Sequence, residues 1–263
     1  RFVKTKEQKQ TLESLSQGLV DVVVGTHRLL SKDVQVKNLG LLIIDEEHRF
    51  GVLHKERLSA IKANSDVLSL SATPIPRTLH MAILGLRDVS YLMTPPAGRL
   101  PVKTVVTKVD DECIREVIET EINRGGQVFF VHNNVQELTH LVSYINKLIP
   151  NCRVGVAHGQ MVDKTLESTI IDFLEQKIQV LVCTTVIESG IDMPNVNTLI
   201  VYKAENYGLS QLYQLRGRVG RSTIQGYAYL LYTHEGGISE VSTKRLNVLH
   251  SYQGLGEGFQ VAS

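Results

Sequence analysis

The stretch Gln214 to Arg221, QLRGRVGR, sets Arg216, Arg218 and Arg221 beside two glycines, so several guanidinium groups can converge on one small anion cluster. A guanidinium offers phosphate oxygens a rigid fork of donors and stays charged at any working pH, as charge developing on a transferring phosphoryl group requires. Taken alone, the string fits a solvated basic turn better. A second cluster carries complementary chemistry: Asp45 and Glu46 follow the apolar run 39–44, with Glu47 and His48 directly after. Asp45 can hold a magnesium ion through its water shell, and Glu46 can orient or deprotonate an attacking water. The plainer reading of this pair is an acidic helix start, which the macrodipole favours. No second His or Cys stands at ligand spacing from His48, which favours hydrogen bonding over metal binding there.

A third set combines hydroxyls and glycines with predicted strand ends. Thr184, Thr185, Glu188, Gly190 and Asp192 lie in CTTVIESGIDMP, directly after a run ending at Cys183. Hydroxyls and free backbone N–H groups at such an end suit phosphate contacts, and Asp192 suits a ribose hydroxyl or an arginine partner. A glycine turn capped by Asp192 is the simpler alternative. His158 and Gly159, in AHGQM, follow another predicted strand on the same predicted edge, and Gly25 and Thr26, in GTHRLL, hold the same position in the first half.

The elements that must position these residues are short apolar strands alternating with helices of about a dozen residues, which calls for a parallel sheet covered on both faces. The first half reads as a surface helix over Thr5 to Gln17 closed by Gly18, a buried strand Val20 to Val24, a strand in 39–44 and a strand 67–70 that runs into the proline-rich SATPIPRT. The linker is placed at 96–101, within TPPAGRLP, so that 1–95 forms part of a first lobe. A second lobe over 102–235 reads as strands 104–109, 128–131, 153–156, 180–183, 198–202 and 227–232, with helices 111–123, 135–148 and 163–175. Residues 236–263 contain a helical stretch near 244–252 and a glycine-rich close.

Length and composition set the bounds. The 263 residues with 43% hydrophobic content suffice for two α/β cores. A formal charge of +1 neither argues for nucleic acid nor against it, so that case rests on motifs. The three cysteines, Cys113, Cys152 and Cys183, are widely spaced without a CxxC pair, which predicts reduced thiols and a cytoplasmic setting. No apolar run approaches the roughly 18 residues of a membrane span.

In this order and spacing, GTHRLL, DEEH, SATPIPRT, AHGQM, CTTVIESGIDMP and QLRGRVGR resemble motifs Ib, II, III, IVa, V and VI of superfamily 2 helicases and translocases across nearly the whole chain. The longer strings DEEHRFGV, SATPIPRTL and QLRGRVGRS resemble two families within it, the transcription-repair coupling factors and the RecG-like branch-migration helicases. Glu47, where RecG-like sequences tend to carry glutamine, and the wording of RGGQVFFVHNNV read closer to the coupling factors.

The resemblance implies two RecA-like lobes of the P-loop NTPase type and an ATP- and magnesium-dependent motor on double-stranded DNA. In it Asp45 and Glu46 serve magnesium and water, and His48 couples nucleotide to the DNA side. Ser71 and Thr73 would link hydrolysis to lobe movement. Gly190 and Asp192 would touch nucleotide or relay its state, and Gln214, Arg218 and Arg221 would read the γ-phosphate. Gly25, Thr26, His158, Gly159, Thr184 and Thr185 would grip the DNA backbone without reading bases. RNA polymerase and a nucleotide-excision repair protein are the partners implied through other regions of such a protein. The chain contains no GxxxxGK[ST] string, so the family's phosphate-cradling loop is expected upstream of Arg1, the first lobe is expected to be incomplete, and this polypeptide alone is expected to be inactive. GLGEGFQVAS resembles the start of the family's helical coupling segment. The competing expectations are a RecG-like enzyme and a silent nucleic-acid-binding module; the motif wording disfavours an RNA helicase.

Overall fold

In the computed structural model, the alternation of short apolar runs with amphipathic helices produces parallel sheets. It describes residues 5–46, 50–51, 54, 56–58, 61, 65–71, 88–90, 92, 94, 96–185, 192–233, 239–251 and 254. The chain divides into two compact units, residues 1–72 and 73–263.

In the first unit, helix α1 (Thr5–Gln17) buries Leu15 and ends at Gly18, whose φ of +76° suits a residue without Cβ. The amides of Gly18 and Leu19 close the helix on the carbonyls of Leu15 and Ser14. Residues 20–24 form no strand; Leu19, Val22 and Val24 are instead exposed. A strand is stable only as far as its backbone groups find a partner strand, and among the described residues this run pairs with none. Strands β1 (Leu41–Asp45) and β2 (Asp66–Leu70) pair in parallel, with Leu41 opposite Asp66 and Asp45 opposite Leu70. Leu30, Ile44 and Leu58 form the small core beneath them.

The second unit is built on six parallel strands: β3 (Lys103–Lys108), β4 (Gln127–Val131), β5 (Val154–Ala157), β6 (Val180–Cys183), β7 (Val196–Tyr202) and β8 (Tyr227–Tyr232). Their order in the sheet is β3-β8-β7-β4-β6-β5. Every residue of β4 and β6 is buried, as expected where helices cover both faces. The period of two divides the core. Val128 and Phe130 pack with Ile114 and Ile118 of helix α2 (Asp111–Asn123) and with Leu138, Leu141 and Ile145 of α3 (Val135–Leu148). Phe129 and Val131 face the other way, onto Phe173 of α4 (Asp163–Leu174), Leu212 and Leu215 of α5 (Leu209–Arg216), and Leu246 and Leu249 of α6 (Glu240–Ser251). Asp110 and Asn134 cap α2 and α3, accepting the amides of Cys113 at 2.8 Å and Gln136 at 3.0 Å. Among the described residues no helix is long and apolar enough to cross a membrane.

Candidate functional site

In the first unit Asp45 is the last residue of β1, and Glu46 follows in left-handed backbone with φ +52°. The Glu46 amide donates to the Leu70 carbonyl at 3.0 Å, so the parallel ladder holds one step past the strand before the chain turns away. Because Asp45 lies opposite Leu70, the next residue, Ser71, leaves from the same edge as the two carboxylates. Gly25 and Thr26 are exposed, and the Thr26 hydroxyl caps the 3₁₀ turn His27–Leu30, accepting the Arg28 amide at 3.4 Å. Two bonds of 2.8 and 2.5 Å from Arg28 to Asp33 hold that loop and pull the Asp33 carboxyl below its ordinary range. His48 and Thr73 lie outside the described residues, as do Glu188 and Gly190 of the second unit.

In the second unit the C-terminal ends of three adjacent strands gather one group of candidates. Val131, Cys183 and Ala157 lie level across β4, β6 and β5. One step further the His132 amide donates to Cys183 at 2.9 Å and the Thr184 amide to Ala157 at 3.2 Å. His158, Gly159, Thr184 and Thr185 therefore emerge side by side, with Thr184 nearly buried and Gly159 exposed. A turn closed by the Met161 amide on the His158 carbonyl at 3.1 Å fixes the His158 loop.

The same edge carries polar residues that were not among the sequence candidates. Lys203, at φ +55°, donates to Glu137 Oε2 at 2.8 Å, and His132 Nε2 meets the same oxygen at 3.1 Å. Asn134 donates to Glu137 Oε1 at 3.1 Å. With Asn133, Gln160 and Asn206 they line a cavity of about 610 Å³. The available signal was HNNV directly after β4, at the edge where Thr184 and His158 emerge.

The arginines lie elsewhere. Arg216, in the last turn of α5, is buried, donates to the Leu249 carbonyl at 3.2 Å and stacks over Tyr213. It ties α5 to α6, so of the three guanidiniums of QLRGRVGR this one serves the packing of the two helices. Gln214 and Arg218 are half-buried. Past α5, the Gly220 amide reaches back to the carbonyl of Val196, the first residue of β7, at 3.3 Å. Arg221 Nη1 then donates to Asp192 Oδ1 at 3.0 Å. The Arg221–Asp192 pair thus sits by the start of β7, whereas His132 and Thr184 lie at the far ends of the strands. The six steps from Val196 to Tyr202 along β7, about 20 Å, separate the two ends.

The chain matches two families, one described as DEAD/DEAH box helicase over residues 1–82 and one as helicase conserved C-terminal domain over residues 110–223. Over 262 residues it is 54% identical to a transcription-repair-coupling factor of Bacillus subtilis and 52% identical to one of Staphylococcus aureus strain NCTC 8325. Those alignments take in 100% of this chain and 22% of each relative, so the chain spans about a fifth of their length. Among solved structures, RecG bound to a three-way DNA junction superposes with a TM-score of 0.73 at 34% identity, over 99% of this chain and 34% of that one. Dbp5 of S. cerevisiae, bound to RNA and ADP BeF3, superposes with a TM-score of 0.61 at 18% identity, over 87% of this chain and 61% of that one, which speaks for the fold alone. The two units are RecA-like helicase lobes.

Proposed function

We propose, from the premise that this chain belongs to the DEAD/DEAH-box helicases with a helicase C-terminal domain, that it is motor core of an ATP-driven double-stranded DNA translocase acting in transcription-coupled repair. The observation that carries this reading is the 54% identity to a transcription-repair-coupling factor along 100% of the chain. The placement of the acidic pair at a strand end and of Arg221 beside Asp192 supports it.

The donor set fits a magnesium nucleotide. Asp45 is an exposed carboxylate free of a protein cation among the described ion pairs, and would hold magnesium through water. The metal, when bound, neutralises charge on the phosphates. Glu46 orients the attacking water and accepts its proton. Arg218 and Arg221 bring fixed positive charge to the γ-phosphate oxygens, and Asp192 pairs with Arg221 until they arrive. Thr184, Thr185, His158 and Gly159, with Gly25 and Thr26 of the other lobe, grip phosphates without reading bases. ATP-dependent exchange of grip between the lobes moves the protein along duplex DNA. RNA polymerase and a nucleotide-excision repair protein would be engaged through other parts of the full-length protein.

The likeness to RecG on a three-way junction favours one second reading, branch migration of forked DNA. In the full-length protein, linear duplex DNA should stimulate ATP hydrolysis strongly and single-stranded RNA should not. Stimulation by RNA alone would overturn the reading, and stimulation confined to branched DNA would select the second.

A further inference from the structure

At the end of the sheet away from the phosphate-gripping residues lies a buried charged network to which none of the motifs above assigns a task. Glu121, in the last turn of α2, is 1% exposed. Its Oε2 accepts from Thr198 Oγ1 of β7 and from Arg124, and its Oε1 accepts from Asn197 Nδ2 at 3.4 Å. Both branches continue into the loop that follows α5. Ser222 Oγ donates to Asn197 Oδ1 at 3.1 Å, and Arg124 Nη1 donates to the Gln225 carbonyl at 2.9 Å. The network leaves no slack: a Cβ at Gly126 would stand 1.7 Å from Glu121 Oε1. The loop is also pinned by backbone. Gly220, at φ +65°, bonds Val196, and a Cβ at Gly226 would stand 2.8 Å from the Gly220 Cα. A buried carboxylate that collects a cation and two neutral donors is costly to assemble and costly to break, because each member left behind is a buried polar group without a partner.

We propose that Glu121 is a positioning residue for hydrolysis: through Asn197–Ser222 and Arg124–Gln225 it clamps the loop 217–226 at both sides and so fixes where Arg221 stands. The inference rests on the reading of Arg221 as the γ-phosphate arginine. Arg221 immediately precedes Ser222, and its one ion pair among the described residues, with the exposed Asp192, is a tether that a polyphosphate can outcompete. The placement of its backbone therefore depends on the clamp beneath. An arginine that stabilises charge mainly in the transition state is sensitive to placement, and a shift of about 1 Å can cost on the order of a hundredfold in rate.

The test uses the full-length protein and the variants Glu121→Gln, Ser222→Ala and their combination, with Arg221→Ala as control. In Glu121→Gln, amide exchange should quicken over residues 217–226, the Gly220 amide included, while β4 and β6 keep their protection. DNA-stimulated kcat, counted per DNA-binding-competent molecule, should fall about tenfold or more, with KM for ATP and DNA affinity within about twofold of wild type. Ser222→Ala cuts the network at its outer end without leaving a buried charge, and serves if Glu121→Gln does not fold. It should show the same split more weakly. The double variant should be no slower than Glu121→Gln, since both act through one loop. Unchanged exchange over 217–226, unchanged kcat, losses that multiply, or a rise in KM without a fall in kcat would each overturn the proposal. If Arg221→Ala itself retains turnover, the underlying reading of Arg221 fails; if it is dead while the clamp variants run at wild-type rate, only the clamp fails.

Discussion

Lys203, Glu137 and His132 show how little of a polar cluster can be read one residue at a time. They come from the segment after β7, from α3 and from the residue that follows β4, and only parallel pairing of β4 with β7 brings them to one edge. The hydrogen bond from Lys203 holds the Glu137 carboxyl below its ordinary value, and the same bond holds the Lys203 ammonium above its own. Glu137 is 38% exposed, so solvent screens the pair and it adds under about 1 kcal/mol. The sign follows from linkage. A lowered carboxyl stabilises the fold above its unfolded pKa and loses that contribution as pH falls through the folded value; the raised ammonium contributes below its unfolded pKa and loses it as pH rises through the folded value. The stability difference between wild type and Glu137→Gln, measured by denaturant titration, should therefore shrink as pH falls below about 4 and shrink again as pH rises above about 10. A difference that grew in acid would contradict the pairing. Arg216 is the opposite case. In the sequence it looks the equal of Arg218 and Arg221, yet it stands four residues after Leu212 on the buried face of α5, a helix of eight residues too short to announce itself beside the glycines that follow.

The elements of the second unit were legible because each is locally consistent. Helices 111–123 and 135–148 carry Asp and Asn caps and apolar residues at helical spacing, and the fully apolar runs 128–131 and 180–183 could be nothing but central strands. Residues 20–24 were misread for the converse reason. VDVVV has strand propensity, but a strand belongs to its neighbour as much as to itself, and Val22 and Val24 lie open at 79% and 93% exposure. Packing energy concentrates where the second unit is tightest. Phe173 of α4 is fully buried and stacks on Phe129 of β4 with ring centroids 5.5 Å apart. Phe173→Ala should cost about 3–5 kcal/mol in equilibrium denaturation, since the rigid sheet beneath cannot collapse into the space. A loss under about 1 kcal/mol would mean that α4 contributes little to the core.

For the whole molecule, the order of motifs along the chain carried more information than any single one. The acidic pair, the hydroxyls and the arginines each had a plain structural alternative, and their succession across two α/β units is what singles out the helicase family. What the sequence could not show is that Arg221 and the group formed by His132, His158 and Thr184 stand at opposite ends of the second sheet, separated by the length of β7. The claim on which all of this depends is that Glu46 handles the attacking water while Asp45 serves the metal, and one variant separates those roles. In full-length Glu46→Gln, phosphate release stimulated by duplex DNA should fall by at least about a thousandfold, while equilibrium binding of magnesium ATP stays within about twofold of wild type. Near-normal turnover in that variant, or loss of ATP binding in step with loss of turnover, would contradict the account.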